Sequence, residues 1–362
     1  MDTQIVQTEL QARSPRTAAD VQKFLARVAE AFAAKPFKPH FAFKGGHAQT
    51  LAAYAWPRRY RLQRSPQDEE RLFEIEPGVK VMAHCRWQRQ RQKHSTVVIW
   101  HGMEGSASSI YMIATADKAF RAGFNVVRVN FRNCGGTEHL TPTLYHGGLS
   151  CDLQVVVNQL IEQDALKRIF LLGFSLGGNM VLKLAGEYGE DAPSEVIAVC
   201  AISPSVDLQA STDLILSKRN WIYHKRFVGS LKDRIRLKQK LFPDVYDLSQ
   251  LPRIRTIREF DEEFTSIANG FVNADDYYYR ASSIRVVSGI RIPTLIVHAR
   301  DDPFIPFEPL RQSHFSENPY ILMLATDRGG HVAFISSNTT TEDRFWAENR
   351  AVEFCLLANE ER

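Results

Sequence analysis

A chain of 362 residues, 44% hydrophobic and 24% charged, is long enough for one large α/β domain or two modest ones. Its formal net charge of +4 at pH 7 is too small to argue for a nucleic-acid partner, and no motif for one stands out. No run of apolar residues is long enough for a membrane-spanning helix, and five cysteines (Cys85, Cys134, Cys151, Cys200, Cys355) without a CxxC pair argue against a disulfide framework.

The opening stretch, MDTQIVQTELQARSPRT, lacks the apolar centre of a secretory signal. Together with thiols that read as free, this places the protein in the cytoplasm. Val21, Leu25, Val28 and Phe32 recur at helical spacing before Pro36 and Pro39, which predicts a helix near 17–34 within an N-terminal extension of residues 1–40. From about residue 79 strands and helices alternate. VKVMAHCRW, STVVIW, FNVVRVNF, RIFLLGF and VIAVCAI read as strands, with helices expected at 108–121, 149–163 and 177–187. Short apolar runs separated by helices imply a mostly parallel sheet covered on both faces. The alternation stops near Pro204 and resumes at RIPTLIVHA (291–299) and PYILMLA (319–325), before a closing helix. The expected organisation is a core of residues 41–204 and 291–362, with a helical cap inserted at 205–290.

Gly173-Phe174-Ser175-Leu176-Gly177 matches G-x-S-x-G, with a strand entering and a helix leaving. Such a strand-to-helix turn lifts a serine hydroxyl above the sheet, and its glycines allow backbones to approach closely. A hydroxyl becomes an effective nucleophile only when a base takes its proton. After Ser175 come His224, His298, His314 and His331, of which His331 sits in a glycine-rich loop, DRGGHVAF, after the last strand. The acid belongs between them, at the strand tip HARDDPF, where Asp302 is favoured and Asp301 is the alternative, its other role being to cap loop N–H groups. Backbone N–H groups of Met103, after the strand in WHGMEG, and of Leu176 are assigned to an oxyanion pocket. Glu104 is expected to brace that loop. No histidine or acid cluster shows metal-ligand spacing, so neither metal nor cofactor is expected.

Several stretches together, GGHAQTL (45–51), HGMEGSASSIY (101–111), NFRNCGGTE (130–138), YHGG (145–148), GFSLGGN (173–179), REFDEEFT (258–265), DYYYRAS (276–282), DDPFIP (301–306) and GGHVAF (329–334), resemble the YheT-like branch of the α/β-hydrolases. The similarity spans about residues 36–355. It implies an α/β-hydrolase fold, acyl-ester substrates, and a triad of Ser175, His331 and one of Asp301 and Asp302. The branch often has R-G-C-x-G where this chain has Arg132-Asn133-Cys134-Gly135-Gly136, so a loop of different shape is expected there.

Residues 217–240 hold nine Lys or Arg and one acid, with Phe227, Leu231 and Ile235 forming an apolar stripe. Such a helix either covers the site with its stripe or lies on an anionic membrane surface. Phe271 and Tyr277–Tyr279 are candidates for lining an acyl channel, or simply for packing. The function expected is a serine carboxylesterase acting on short- to medium-chain acyl esters through an acyl-enzyme. Acyl transfer to alcohols, phospholipid hydrolysis and a non-catalytic binding role on the same scaffold are the alternatives. Nothing in the chain sets its oligomeric state.

Overall fold

The computed structural model describes residues 17–58, 68–337 and 342–361, so the first sixteen residues of the expected extension lie outside it. Helices α1 (Ala18–Ala33) and α2 (Gly46–Ala55) precede a hairpin of β1 (Glu69–Glu76) and β2 (Val79–Arg86). Strands β3 (Thr96–Trp100), β4 (Asn125–Val129), β5 (Ile169–Phe174) and β6 (Val196–Ile202) then alternate with α3 (Ile110–Arg121), α4 (Ser150–Glu162) and α5 (Leu176–Tyr188). After β6 come α6 (Leu208–Leu216), α7 (Trp221–Leu241), α8 (Ile257–Phe260), which runs into a π-helical turn over Asp261–Ser266, and α9 (Ala274–Ala281). The chain finishes with β7 (Thr294–Ala299), α10 (Ser313–Ser316), β8 (Ile321–Thr326) and α11 (Trp346–Glu360).

The eight strands form one sheet in the order β1-β2-β4-β3-β5-β6-β7-β8. Strands β3 to β8 run parallel, whereas β2 pairs antiparallel with both β1 and β4. The central strands are buried along their whole length, because helices cover both faces. Val98, Trp100, Leu171 and Ile296 point to the face that holds Val156 and Leu160 of α4 and Met180 of α5. Val97, Ile99, Leu172 and Leu295 point to the other, against Phe24 of α1, Met112 of α3 and Phe354 of α11. The predicted stripe of α1 (Val21, Leu25, Val28, Phe32) is therefore part of the main core, and a Thr17–Asp20 capping box starts the helix.

The segment between β6 and β7 builds its own apolar cluster. Ile215, Val228, Leu231, Ile235, Ile257 and Phe260 pack together over Leu144, Phe304 and Ile305, which belong to loops of the sheet. The stripe on α7 thus faces inward. Among the described residues no helix is long and apolar enough to cross a membrane, and all five cysteines are free.

Parallel strands aim their C-terminal ends at a common rim, the usual place for a site in such sheets. There β3 delivers residues 101–105, β5 delivers Ser175, β7 delivers Asp301 and Asp302, and β8 leads to His331.

Candidate active site

Ser175 sits between β5 and α5 with φ 54° and ψ −116°, a left-handed conformation that a residue with a side chain adopts only under constraint. The constraint is local packing. A Cβ on Gly177 would stand 2.5 Å from the backbone oxygen of His101 and 2.7 Å from that of Trp100. Only glycine lets α5 start this close to β3. The elbow is pinned from behind as well, since Ser175 N–H donates to the Ile202 carbonyl at 2.9 Å. Leu176 is the first helical residue, where N–H groups have no intrahelical acceptor.

His331 Nε2 lies 3.0 Å from Ser175 Oγ, and His331 Nδ1 lies 2.9 Å from Asp302 Oδ2. A carboxylate only accepts, so Nδ1 carries the proton and Nε2 presents a lone pair to the hydroxyl. The other oxygen of Asp302 accepts N–H bonds from Phe304 at 2.8 Å and Ile305 at 3.0 Å. Burial alone would raise the Asp302 pKa; the facing imidazole and these hydrogen bonds outweigh it and hold the carboxyl below its ordinary value. Asp301 does something else. Its Oδ1 accepts the Gly330 N–H at 2.9 Å, which ties the loop of the base to the tip of β7.

Helix α2, which periodicity did not reveal, completes that support. Thr50 Oγ1 accepts the His331 N–H at 2.9 Å and donates to the Gly46 carbonyl at 2.7 Å. A Cβ on Gly46 would fall 1.8 Å from the Asp301 backbone oxygen, and one on Gly330 would fall 2.4 Å from that of Gly46. Two glycine-rich segments nearly 300 residues apart are thus pressed together. Their only signal in the sequence was the pair of GGH motifs, at 45–47 and 329–331. Val332 N–H donates to Ser203 Oγ at 3.2 Å, and both residues take left-handed φ.

The loop after β3 is shaped by His101. Nδ1 of this buried ring faces the Gly102 carbonyl at 2.7 Å and Nε2 accepts the Phe131 N–H at 3.1 Å. Burial pushes its pKa down to about 4, so the ring is neutral and structural. Gly102 approaches so near that its Cβ would touch that of Ser175 at 3.0 Å. Met103 follows, and Glu104 takes φ 55°. The Glu104 carboxylate accepts from Tyr145 Oη at 2.8 Å, from Arg234 Nε at 3.0 Å and from Ser230 Oγ. It therefore braces the loop and fastens it to α7. Asn133 adopts φ 62°, a backbone that asparagine takes more readily than most residues, and its side chain donates to the Thr143 carbonyl.

Ser175 stands where two cavities meet, with Met103, Ile215 and Ile305 as the other shared walls. One, of about 80 Å³, is lined chiefly by Leu144, Leu208, Ile257 and Phe260, with Tyr277, Tyr278 and Asp261 adding polar atoms. The other, of about 220 Å³, holds His331 and is walled by Thr50, Tyr54 and Phe227. Of the aromatic residues expected in a channel, Tyr277 and Tyr278 line the first cavity, Phe271 packs on Tyr277 behind it, and Tyr279 is exposed. His298 is buried beneath the acid, and His224 and His314 lie elsewhere, with Ile257 and Gln312. No cluster of groups able to hold a metal occurs among the described residues.

Residues 95–337 match the family described as the alpha/beta hydrolase fold. The Escherichia coli (strain K12) protein YheT, which carries the name of an esterase, is 31% identical over 317 residues, spanning 87% of this chain and 91% of that protein. The Saccharomyces cerevisiae medium-chain fatty acid ethyl ester synthase/esterase 2 is 31% identical over 285 residues, 71% of this chain and 61% of that protein. Among solved structures, the Pyrococcus furiosus esterase Pf2001 superposes with a TM-score of 0.52 at 18% identity, covering 83% of this chain and 98% of that one, a likeness of fold alone.

Proposed function

This chain belongs to the α/β-hydrolase family, and on that premise we propose how it cleaves its substrates. It is a carboxylic-ester hydrolase. Ser175 Oγ attacks the acyl carbon while His331 Nε2 takes its proton. Asp302 holds the imidazole in the productive tautomer and stabilises the imidazolium. The N–H groups of Met103 and Leu176 donate hydrogen bonds to the oxyanion that develops from the carbonyl oxygen, and the dipole of α5 adds to them. The imidazolium then protonates the leaving alkoxide, which departs as the alcohol. Water, deprotonated by the same Nε2, attacks the acyl-enzyme; as the acyl–Oγ bond breaks and the acid leaves, the imidazolium returns that proton to Ser175 Oγ. Every step uses side chains, backbone amides and water, so no cofactor takes part.

The observation that carries this reading is the unbroken line from Asp302 Oδ2 through His331 to Ser175 Oγ, with both gaps at 3.0 Å or less. In this reading residues 205–290 act as the cap, and the apolar cavity beneath it takes the acyl chain. Its mixed lining suits short- to medium-chain acids, because Asp261 and the tyrosines offer little to a longer alkyl chain. A fluorophosphonate probe is expected to label the wild type and not Ser175→Ala. Loss of probe labelling in the wild type itself would overturn the mechanism. A series of p-nitrophenyl esters is expected to give its highest kcat/KM at medium chain length. The second cavity, which opens beside His331, can seat an alcohol in place of water. Product analysis with added ethanol separates acyl transfer from hydrolysis.

A further inference from the structure

The cavity that holds His331 is walled in part by two helices, α2 through Thr50, Ala53 and Tyr54, and α7 through Phe227. They lie side by side: His47 stacks on Tyr223 at 5.8 Å between ring centres, and Arg226 donates to Tyr54 Oη at 3.0 Å. On this pair of helices Leu51, Tyr54, Trp221 and Ile222 are between 57% and 69% exposed. Exposed apolar side chains scattered singly are ordinary, but four on two touching helices that also wall the cavity mark a contact surface.

The charge on the two segments that carry them has one sign, with Asp213 and Asp233 just beyond the second. Residues 41–58 and 214–232 contain no Asp or Glu, and they carry Lys44, Arg58, Lys218, Arg219, Lys225, Arg226 and Lys232. Lys44, Lys218, Arg219 and Lys225 are exposed, and none of the four pairs with a carboxylate among the described residues. A second copy of this chain seated on the patch would bring cations against cations, which disfavours self-association. A nucleic acid would answer the charge but gain nothing from the aliphatic Leu51 and Ile222.

We propose that this rim docks on the surface of an anionic phospholipid bilayer. Trp221, Ile222, Leu51 and Tyr54 enter the headgroup layer, and Lys218, Arg219 and Lys225 meet the lipid phosphates. The Phe227, Leu231 and Ile235 stripe plays no part, being turned towards the interior. Docked this way, the protein presents this side of its site to the membrane, so an ester passes from lipid to Ser175 without crossing bulk water. The docking stands on its own; only the delivery of substrate rests on the catalytic reading of Ser175.

Co-sedimentation of the full chain with vesicles of phosphatidylcholine, with and without phosphatidylglycerol, tests the docking. Binding is expected to the anionic vesicles at low salt, declining as salt rises. A Lys218→Gln, Arg219→Gln, Lys225→Gln triple variant is expected to bind roughly 100-fold more weakly, at about fivefold per cation. Trp221→Ser with Ile222→Ser is expected to weaken binding about tenfold or more. Both variants are expected to hydrolyse a water-soluble short-chain ester at the wild-type rate, which shows that they are folded. Ser175→Ala is expected to bind vesicles as the wild type does, so a failure of docking and a failure of the chemistry remain distinguishable. The proposal is overturned if the wild type ignores anionic vesicles at low salt or if both rim variants bind them normally. It is equally overturned if Trp221→Ser with Ile222→Ser instead abolishes a concentration-dependent dimer, or if RNA outcompetes the vesicles.

Discussion

Eight residues other than glycine take left-handed φ in the described chain, and six of them (Glu104, Asn133, Ser175, Ser203, Val332 and Phe334) stand in the loops at the C-terminal rim of the sheet. The helical segment over that rim, residues 205–290, has none. Left-handed backbone at a β-branched residue such as Val332 persists only where the surroundings over-determine it. The rim is over-determined by backbone-to-backbone contact, as where Gly46 meets Asp301. Helices α6 to α8 above it are held by side chains, chiefly the apolar cluster around Ile235 and the bonds to Glu104, and only the end of that segment meets the core by backbone, where a Cβ on Gly186 would stand 2.3 Å from the Val286 oxygen. The lower region leaves its backbone little room to move, while the upper one is walled mainly by side chains. Substitutions at the rim should therefore act on turnover, and substitutions above it on stability and on the placement of α6 to α9.

The largest effect expected is at the acid. Asp302→Asn should lower kcat about 10,000-fold, because an amide facing Nδ1 favours the wrong tautomer. Asp301→Asn, one residue away, keeps an acceptor for the Gly330 N–H and should cost about tenfold or less. Turnover of a soluble ester by the two purified variants, with melting temperatures to confirm folding, decides between them. Equal losses would mean that the two carboxylates share the work.

The two regions diverge again at glycine. Gly46→Ala places a Cβ where the Asp301 carbonyl already stands, so either α2 or the acid loop has to shift. Displacement of about 1 Å at the base should cost about 100-fold in kcat. Gly229 on α7 is exposed, with nothing within 4 Å of the Cβ it would gain. Gly229→Ala should leave turnover unchanged and stabilise by up to about 1 kcal/mol through helix propensity. Measured side by side, the pair asks whether the rim alone is intolerant of one methyl group.

The same division governs what could be read in advance. Strands β3, β5, β6 and β7 are buried on both faces and so appear as unbroken apolar runs, and the order of serine, acid and histidine along the chain picks out Ser175 and His331. Strand β1 stays hidden because only Phe73 and Ile75 of its eight residues point inward, between exposed glutamates. Helix α2 is just as silent, since GHAQTLAAYA is mostly small residues with no strong apolar face. Its purpose, to hold the His331 N–H through Thr50, exists only in tertiary contact. The stripe on α7 is plain in the sequence but not its direction, because core and lipid ask for the same pattern. The split between Asp301 and Asp302 depends on which side chain turns towards Nδ1, and neighbouring letters do not encode that.

Between rim and cap stands Glu104, and breaking it should have an intermediate effect. Glu104→Gln leaves Arg234 buried without its main counter-charge, a class of change that costs about 3–5 kcal/mol. Faster hydrogen exchange in α7 is expected, with a roughly tenfold fall in kcat if Met103 donates to the oxyanion as proposed. Adding Arg234→Gln should recover part of the stability, since both charges are then gone. If exchange in α7 stays at the wild-type rate, the latch between loop and cap is not made by this carboxylate.

The smallest effect lies wholly in the upper region. Asp261 accepts from Tyr278 Oη and Thr265 Oγ1, both at 2.7 Å, yet burial pushes its pKa up to about 6. The unfolded chain releases that proton near pH 4. Between these values the folded protein holds the extra proton, so the contribution of Asp261 to stability is greatest below about pH 4 and falls as pH rises to about 6, by up to about 3 kcal/mol. Asp261→Asn cannot ionise and should remove that decline. Its melting temperature should fall below the wild type at pH 4 and match or exceed it at pH 7.5. Turnover of a short soluble ester should stay within about threefold of the wild type, because the carboxyl lies on the cavity wall and not among the reacting groups. A variant with the wild-type dependence of stability on pH would show that Asp261 is already ionised in the folded protein, and a large loss of turnover would group this residue with the lower region instead of the upper one.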